Sequence, residues 1–368
     1  MKKKKILFIY AGGTIGQIPK TKEVPGNGNQ IVLFPPETEA EFKSACLPII
    51  ERLEEASDME VDFELFATKD SSNMFPEDWT RLAKRVQKAQ ETDCYDAVGI
   101  AHGTDTLTYT ANALAFALHG SDSEKSGLQI PVVLTGAQNT IYADGGDGQF
   151  NLENLLRVIN KCIDEGVADV LINFWSRVLR ATRSTKVSEK EFDAFRSPAY
   201  PDVGVINSLG VKLMPEFLKK KSEASYSMSV APEFGLNVFT IDLTPGLLPE
   251  NVLSIVECND IKALILKSHG EGNVPTEGEH NFVPLIERLT DELGIPVIIT
   301  TKFIGGYVGA AHYETGLRAI EAGAIPGLDH TSIAVEVKAR WLLGNGLADS
   351  VESFKRAMQT SYAGEVTV

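Results

Sequence analysis

The chain has 368 residues, 43% of them apolar and 23% charged, the proportions of an ordinary globular protein with room for one large or two medium domains. Its formal charge of −15, from 35 basic and 50 acidic residues, argues against nucleic acid as a partner, because phosphate backbones call for clustered Lys and Arg. No apolar run approaches the roughly 20 residues of a membrane span, so no membrane partner is expected.

Met1-Lys2-Lys3-Lys4-Lys5 followed by apolar residues imitates a signal peptide, but the apolar stretch is short and runs straight into Gly12-Gly13-Thr14. It reads better as a solvated basic start that feeds a first strand, Ile6 to Tyr10. Glycines at its exit allow positive φ or close backbone approach, and they set Thr14 just past the carboxyl end of the strand, where open α/β sheets keep their ligands. Residues 17 to 30, with Pro19, Pro25, Gly26 and Gly28, read as a polar loop long enough to act as a lid.

A helix is expected over 36–56, with a break or kink at Pro48. A strand over Val61 to Ala67 leads to the polar loop Asp70-Ser71-Ser72-Asn73-Met74, and Pro76 opens the next helix. Tyr95 to His102 reads as a strand that exits through Gly103-Thr104-Asp105 into a helix from about Thr106 to Leu118. A strand at Ile130 to Leu134, a helix at Asn151 to Asp164 and a strand at Val170 to Phe174 follow, then a basic run from Arg177 to Lys186. This alternation predicts a mostly parallel sheet with helices on both faces.

Residues 206–233 lack periodicity and read as a linker. A second α/β pattern has strands at 237–243, 263–267 and 296–300 and helices at 280–293, 312–322, 331–344 and 349–360. The expected fold is therefore α/β, with a larger N-terminal domain (1–205) that has a mostly parallel, helix-flanked sheet, and a smaller C-terminal α/β domain (234–368).

Two threonines, Thr14 and Thr104, occupy matching positions after two strands. A Thr hydroxyl needs a base or a charged neighbour to become a nucleophile. Thr104 and Asp105 open a helix, where backbone N–H groups can hold an anion, although both residues also suit an ordinary cap. Lys186, if it folds against Asp105, can relay a proton or hold that carboxylate ionised. His102 and His269, near strand ends, read as satisfied structural histidines.

No histidine spacing implies a metal, and Cys46, Cys94, Cys162 and Cys258 form no CxxC pair, so neither zinc nor disulfides are expected and a reduced compartment fits. Ala11-x-Gly13-x-x-Gly16 is a degenerate dinucleotide fingerprint, but a loop rather than a helix is expected after it, so no nucleotide cofactor is read from it. No cofactor of any kind is expected.

Ala11-Gly12-Gly13-Thr14-Ile15-Gly16 and His102-Gly103-Thr104-Asp105-Thr106-Leu107 resemble the two signature motifs of bacterial-type L-asparaginases. Asp70 to Met74, Asp147-Gly148-Gln149-Phe150-Asn151-Leu152, Arg183-Ser184-Thr185-Lys186 and Gly270-x-Gly272-Asn273-x-Pro275 resemble further blocks of that family. They follow its order over nearly the full length and are most similar to the cytoplasmic type I branch. The resemblance implies hydrolysis of L-asparagine to L-aspartate and ammonia, with Thr14 as nucleophile and an acyl-enzyme intermediate. It makes Thr104, Asp105 and Lys186 a second triad that orients and activates water. Asp105 would also pair with the substrate's α-ammonium group, and Ser71 and Ser72 would bind its α-carboxylate. Asn273 would reach a neighbouring subunit's site, so a homodimer or homotetramer is implied.

The sequence departs from the family in the lid, which has no tyrosine over 17–36. Glu23 stands roughly where the family's tyrosine would be, and Tyr142 is a second candidate for that role. Where some type I members have an effector-site cysteine this chain has Phe303, so that regulation is not expected. The competing readings are a dual asparaginase/glutaminase, a tRNA-dependent amidotransferase subunit, and a catalytically weak amino-acid-binding regulatory protein.

Overall fold

The computed structural model describes residues 3–119, 127–222, 228, 230–309 and 313–367. The first strand, β1 (Lys4–Tyr10), is buried from Ile6 through Tyr10 and lies inside the larger sheet. The polar stretch after it is a hairpin, β2 (Ile18–Val24) and β3 (Gly28–Phe34), and not the expected loop. Pro25 and Gly26, the latter at φ 84°, sit in its three-residue turn, whereas Gly28 at φ 67° opens β3 and Pro19 lies within β2. Helix α1 (Glu39–Ser57) begins three residues later than expected and runs unbroken through Pro48. The carbonyl that Pro48 deprives of a donor is that of Ser44, and both residues face solvent, where water can satisfy it.

Strand β4 (Met59–Leu65), helix α2 (Pro76–Glu91), strand β5 (Ala97–Ala101), helix α3 (Leu107–His119), strand β6 (Val132–Thr135), helix α4 (Asp147–Asp164) and strand β7 (Val170–Phe174) complete the alternation. Strand β8 (Arg177–Arg180) then turns back antiparallel to β7. A two-residue pair follows, β9 (Thr185–Lys186) with β10 (Phe195–Arg196). The expected linker at 206–233 requires correction, because its first part belongs to the sheet. Strands β11 (Gly204–Asn207) and β12 (Gly210–Leu213) form its antiparallel edge. The resulting eight-stranded order is β12-β11-β8-β7-β6-β5-β1-β4, parallel from β7 to β4.

Side chains alternate across β1 and so divide the core. Leu7 and Ile9 meet Leu82, Val86 and Leu114 on one face, whereas Ile6, Phe8 and Tyr10 meet Phe42, Cys46 and Ile159 on the other. Helix α3 is buried at every residue except Tyr109, as befits a helix that is apolar nearly all round.

The second sheet, β13 (Val238–Asp242), β14 (Ala263–Ser268), β15 (Val297–Thr301) and β16 (Ile325–Pro326), is parallel throughout. It carries α5 (Pro249–Cys258), α6 (Val283–Glu287, continued as a π-helical stretch to Glu292), α7 (Glu314–Glu321), α8 (Ser332–Gly344) and α9 (Val351–Gln359). Helix α5 was not legible in the sequence, and residue 312 of the helix expected over 312–322 lies outside the described residues. One cluster spans both sheets, with Phe116 of α3 stacked on Trp341 of α8 at 5.5 Å between ring centroids. Among the described residues no helix is long and apolar enough to cross a membrane.

Candidate active site

Because β1 and β5 are parallel neighbours, paired through Tyr10 and Ala101, their exit turns emerge side by side. The Ala11 amide donates to the Ala101 carbonyl at 2.8 Å and so draws the two turns together. Gly13, at φ 91°, is pressed so closely on Gly103 that a methyl group on it would overlap the Gly103 backbone. A methyl on Gly103 would in turn overlap the Ser71 side chain, and one on Gly12 would meet the Lys69 carbonyl. Three loops, from β1, β4 and β5, therefore converge with no space between their backbones.

Thr14 opens a short 3-10 turn (Thr14–Gly16) at this junction. The turn is held from below by Tyr10, whose hydroxyl donates to the Gly13 carbonyl at 2.8 Å. On its far side the Ile141 amide donates to the Ile15 carbonyl at 3.1 Å, and the Thr140 hydroxyl donates to the Gln17 carbonyl. Sequence reasoning missed Tyr10. The available signal was a lone hydroxylated aromatic in an aliphatic strand directly before the glycines.

Ser71 is buried on a second 3-10 turn (Ser71–Asn73), whose N-terminus Asp70 caps. Asp70 accepts from the Ser72 hydroxyl at 2.6 Å and the Ser72 amide at 2.8 Å, and these bonds hold its carboxyl below the usual carboxylate range. The Thr106 hydroxyl donates to the Ser71 carbonyl at 2.7 Å and ties this loop to the β5 exit.

Lys186 does fold against Asp105. It reaches in from β9, opposite Phe195, and its Nζ donates to Thr104 Oγ1 at 3.0 Å and to Asp105 Oδ1 at 2.6 Å. The ammonium arm is mostly buried, at 15% exposure, whereas the Asp105 side chain is 63% exposed and open to an incoming cation. A hydroxyl beside a fixed ammonium–carboxylate pair can pass a proton or orient water, and the exposed carboxylate face can receive an amine.

His102 is a structural histidine. It is fully buried, with Nδ1 donating to the Gly103 carbonyl at 2.8 Å and Nε2 accepting from the Thr110 hydroxyl at 2.9 Å. Burial pushes its pKa down to about 4, so it stays neutral.

Two predicted residues stand apart from this cluster. Glu23 is exposed and pairs with Asn29, next to the hairpin's turn. Five residues of extended strand, about 17 Å, separate it from the start of β2. Asn273 lies in the second sheet's territory, exchanging backbone bonds with His269 and accepting from the Thr315 hydroxyl at 2.9 Å. Tyr142, 43% exposed, lines a shallow groove with Ile31 and Leu33 of β3.

Residues 5–218 match the family described as "Asparaginase, N-terminal", and residues 237–358 match "Glutaminase/Asparaginase C-terminal domain". The chain is 32% identical over 374 residues to L-asparaginase 1 of Escherichia coli (strain K12), spanning 100% of this chain and 99% of that one. It is 33% identical over 298 residues to L-asparaginase of Thermococcus kodakarensis, with 81% and 84% covered. The crystal structure of L-asparaginase I from Vibrio cholerae superposes with a TM-score of 0.82 at 29% identity, covering 100% of both chains.

Proposed function

The chain belongs to the asparaginase family, and on that premise we propose that it hydrolyses the side-chain amide of L-asparagine to L-aspartate and ammonia. Thr14 is the nucleophile. Its Oγ1 bonds to the amide carbon as the C–N bond breaks, and its proton leaves on the departing ammonia. The β-aspartyl ester left on Thr14 is then cleaved by water.

The observation that supports this reading best is the seat of Lys186 Nζ between Thr104 Oγ1 and Asp105 Oδ1. Held in place by the ammonium, Thr104 Oγ1 orients the attacking water, whose proton passes to Thr14 Oγ1 as the ester C–O bond breaks. Lys186 also pairs with Asp105 Oδ1 and leaves that carboxylate an exposed face for the substrate's α-ammonium group. Ser71 and Ser72, at the start of their 3-10 turn, receive the α-carboxylate. A zwitterionic substrate needs both poles, and here they stand on either side of the Gly13–Gly103 contact.

In this reading β2 and β3 form the lid and Glu23 is its acidic residue. Asn273 completes the site of a neighbouring subunit, so the active form is a homodimer or homotetramer. No cofactor takes part, and the protein works in the cytoplasm. A glutamine side chain is one methylene longer, a difference a pocket discriminates by only about 10- to 200-fold, so glutaminase activity is the expected minor reaction.

Glu23 on an exposed strand, where the resemblance led to a tyrosine, favours the second reading of a weak catalyst that chiefly binds the amino acid. Ammonia release from asparagine and from glutamine, measured alongside asparagine binding by calorimetry, separates the two. Asparagine turnover supports the hydrolase, and binding with no turnover of either amide sinks it.

A further inference from the structure

The strand that carries Lys186 is only two residues long, and so short a pairing cannot fix an ammonium group by itself. On its downstream side Phe195 packs on Phe174, with ring centroids 4.6 Å apart. Its upstream side is the 3-10 turn Ala181–Arg183, which Asn112 of α3 and the Ser197 hydroxyl hold through the Ala181 and Arg183 carbonyls, and which residues 363–367 hold through the Thr182 and Arg183 side chains.

Arg183 is 2% exposed, although a buried guanidinium needs its donors matched. Its Nε donates to the Gly364 carbonyl at 2.7 Å, one terminal nitrogen to the Asp329 carboxylate at 2.8 Å, and the other to the Thr367 hydroxyl at 3.2 Å. The ring of Tyr200 covers it at 4.7 Å. Asp329 closes the circuit by accepting from the Thr367 amide at 3.0 Å and its hydroxyl at 2.5 Å. Next door, the Thr182 hydroxyl donates to the Ala363 carbonyl at 3.1 Å.

Beyond α9, Ala363, Glu365 and Val366 are buried. Their anchor is an ion pair with no exposure at all, Glu365 to Lys338 of α8 at 2.7 Å. Lys338 also donates to the carbonyls of Met358 and Thr360, and Glu365 accepts from the amides of Tyr362 and Ala363. The tail is thus bolted to α8 and presented to the turn that leads into Lys186.

We propose that the carboxyl-terminal residues 362–367, clasped with Asp329 onto Arg183, are the positioning element that sets Lys186 against Thr104 and Asp105. The proposal rests on the hydrolase reading for its kinetic consequence and on geometry alone for its structural one. A misplacement of about 1 Å in a catalytic group can cost on the order of a hundredfold in rate, so the clasp needs to slip only slightly to be felt.

The test uses Asp329→Asn, which keeps the shape and removes the charge, with Thr367→Val and Thr367→Ser as a pair that deletes and restores the hydroxyl. Two quantities are measured on the full chain. One is the kcat and KM for asparagine. The other is the rate at which trace acetic anhydride labels Lys186, read by mass spectrometry against the exposed Lys262. We expect kcat to fall about tenfold in Asp329→Asn and less in Thr367→Val, with KM little changed, Thr367→Ser near wild type, and Lys186 labelling raised several-fold in the first two variants. Folded variants with wild-type kcat and wild-type Lys186 labelling would overturn the proposal. So would a loss of activity that follows only the unfolded fraction. A wild-type protein that releases no ammonia would defeat the hydrolase reading alone, and the labelling would still decide the clasp.

Discussion

Two segments that adjoin each other in the chain are built on opposite principles. The exit turn at Gly12–Gly16 is fixed from every side, by the Gly103 backbone, the Tyr10 hydroxyl and the 140–141 segment. The hairpin that begins two residues later pairs its strands with each other. It leaves Ile31 76% exposed, and ion pairs of Lys20 with Glu37 and Glu41 hold its base at 3.4 and 3.9 Å, a surface arrangement worth little. A nucleophile needs a geometry the fold determines several times over, whereas an element that must admit substrate is drawn from the part of lowest local stability. On the proposed reading the chain makes both within its first 34 residues.

Thr14→Ala should show the largest effect, a loss of kcat on the order of 10⁴-fold with the melting temperature little changed, since only a hydroxyl and a methyl leave a site whose backbone stays packed. Equal rates for mutant and wild type would move the chemistry off the locked turn. Gly13→Ala should come next. A β-carbon at φ 91° costs about 1–2 kcal/mol before the overlap with Gly103 is counted, so the melting temperature should fall and most activity vanish. A Gly13→Ala protein with normal stability and rate would mean that the close contact with Gly103 has no function.

Glu23→Gln probes the other side of the comparison. An exposed residue on a self-paired hairpin should change stability by less than about 0.5 kcal/mol, and kcat should follow suit if Glu23 merely rides on the lid. A collapse of kcat with intact folding would show instead that the hairpin delivers a chemical group to Thr14.

The smallest effect concerns acid. His102, behind the locked turn, has its pKa lowered by burial to about 4, against 6.5 when exposed. Between these values the unfolded chain binds a proton that the folded chain refuses. Stability therefore falls as pH drops from 6.5 toward 4, by at most about 1.4 kcal/mol per pH unit for this group. His330, lowered by burial to about 3, adds a loss of the same sign. Hydrogen exchange at the Gly103 turn should quicken between pH 7 and 5 while exchange in the hairpin, after correction for intrinsic rates, stays level. Equal responses in both would show that the two segments do not differ in this way.

Much of this was legible in the sequence because the signals are local. Apolar runs closed by Gly12-Gly13 and by Gly103 announce buried strands with tight exits, and the alternation of strands with helices announces the sheet. The hairpin was not legible because both its faces meet solvent, so no apolar alternation marks it. Strands β11 and β12 were hidden because each is only four residues long. Lys186 sits in a polar stretch, and its burial depends on Phe195 across a two-residue ladder and on Asp105, 81 residues away. The hydrogen-bond partners of the Arg183 guanidinium lie 146 to 184 residues downstream, where no local pattern can point to them.

The central claim is that Thr14 carries the acyl group while the Thr104–Asp105–Lys186 cluster removes it. Rapid quenching of Lys186→Met with asparagine, followed by peptide mass spectrometry, tests it most directly. The account predicts that steady-state turnover falls by about 10²- to 10³-fold and that a β-aspartyl ester accumulates on the peptide containing Thr14. An adduct on another residue, or continued turnover at the wild-type rate, would contradict it.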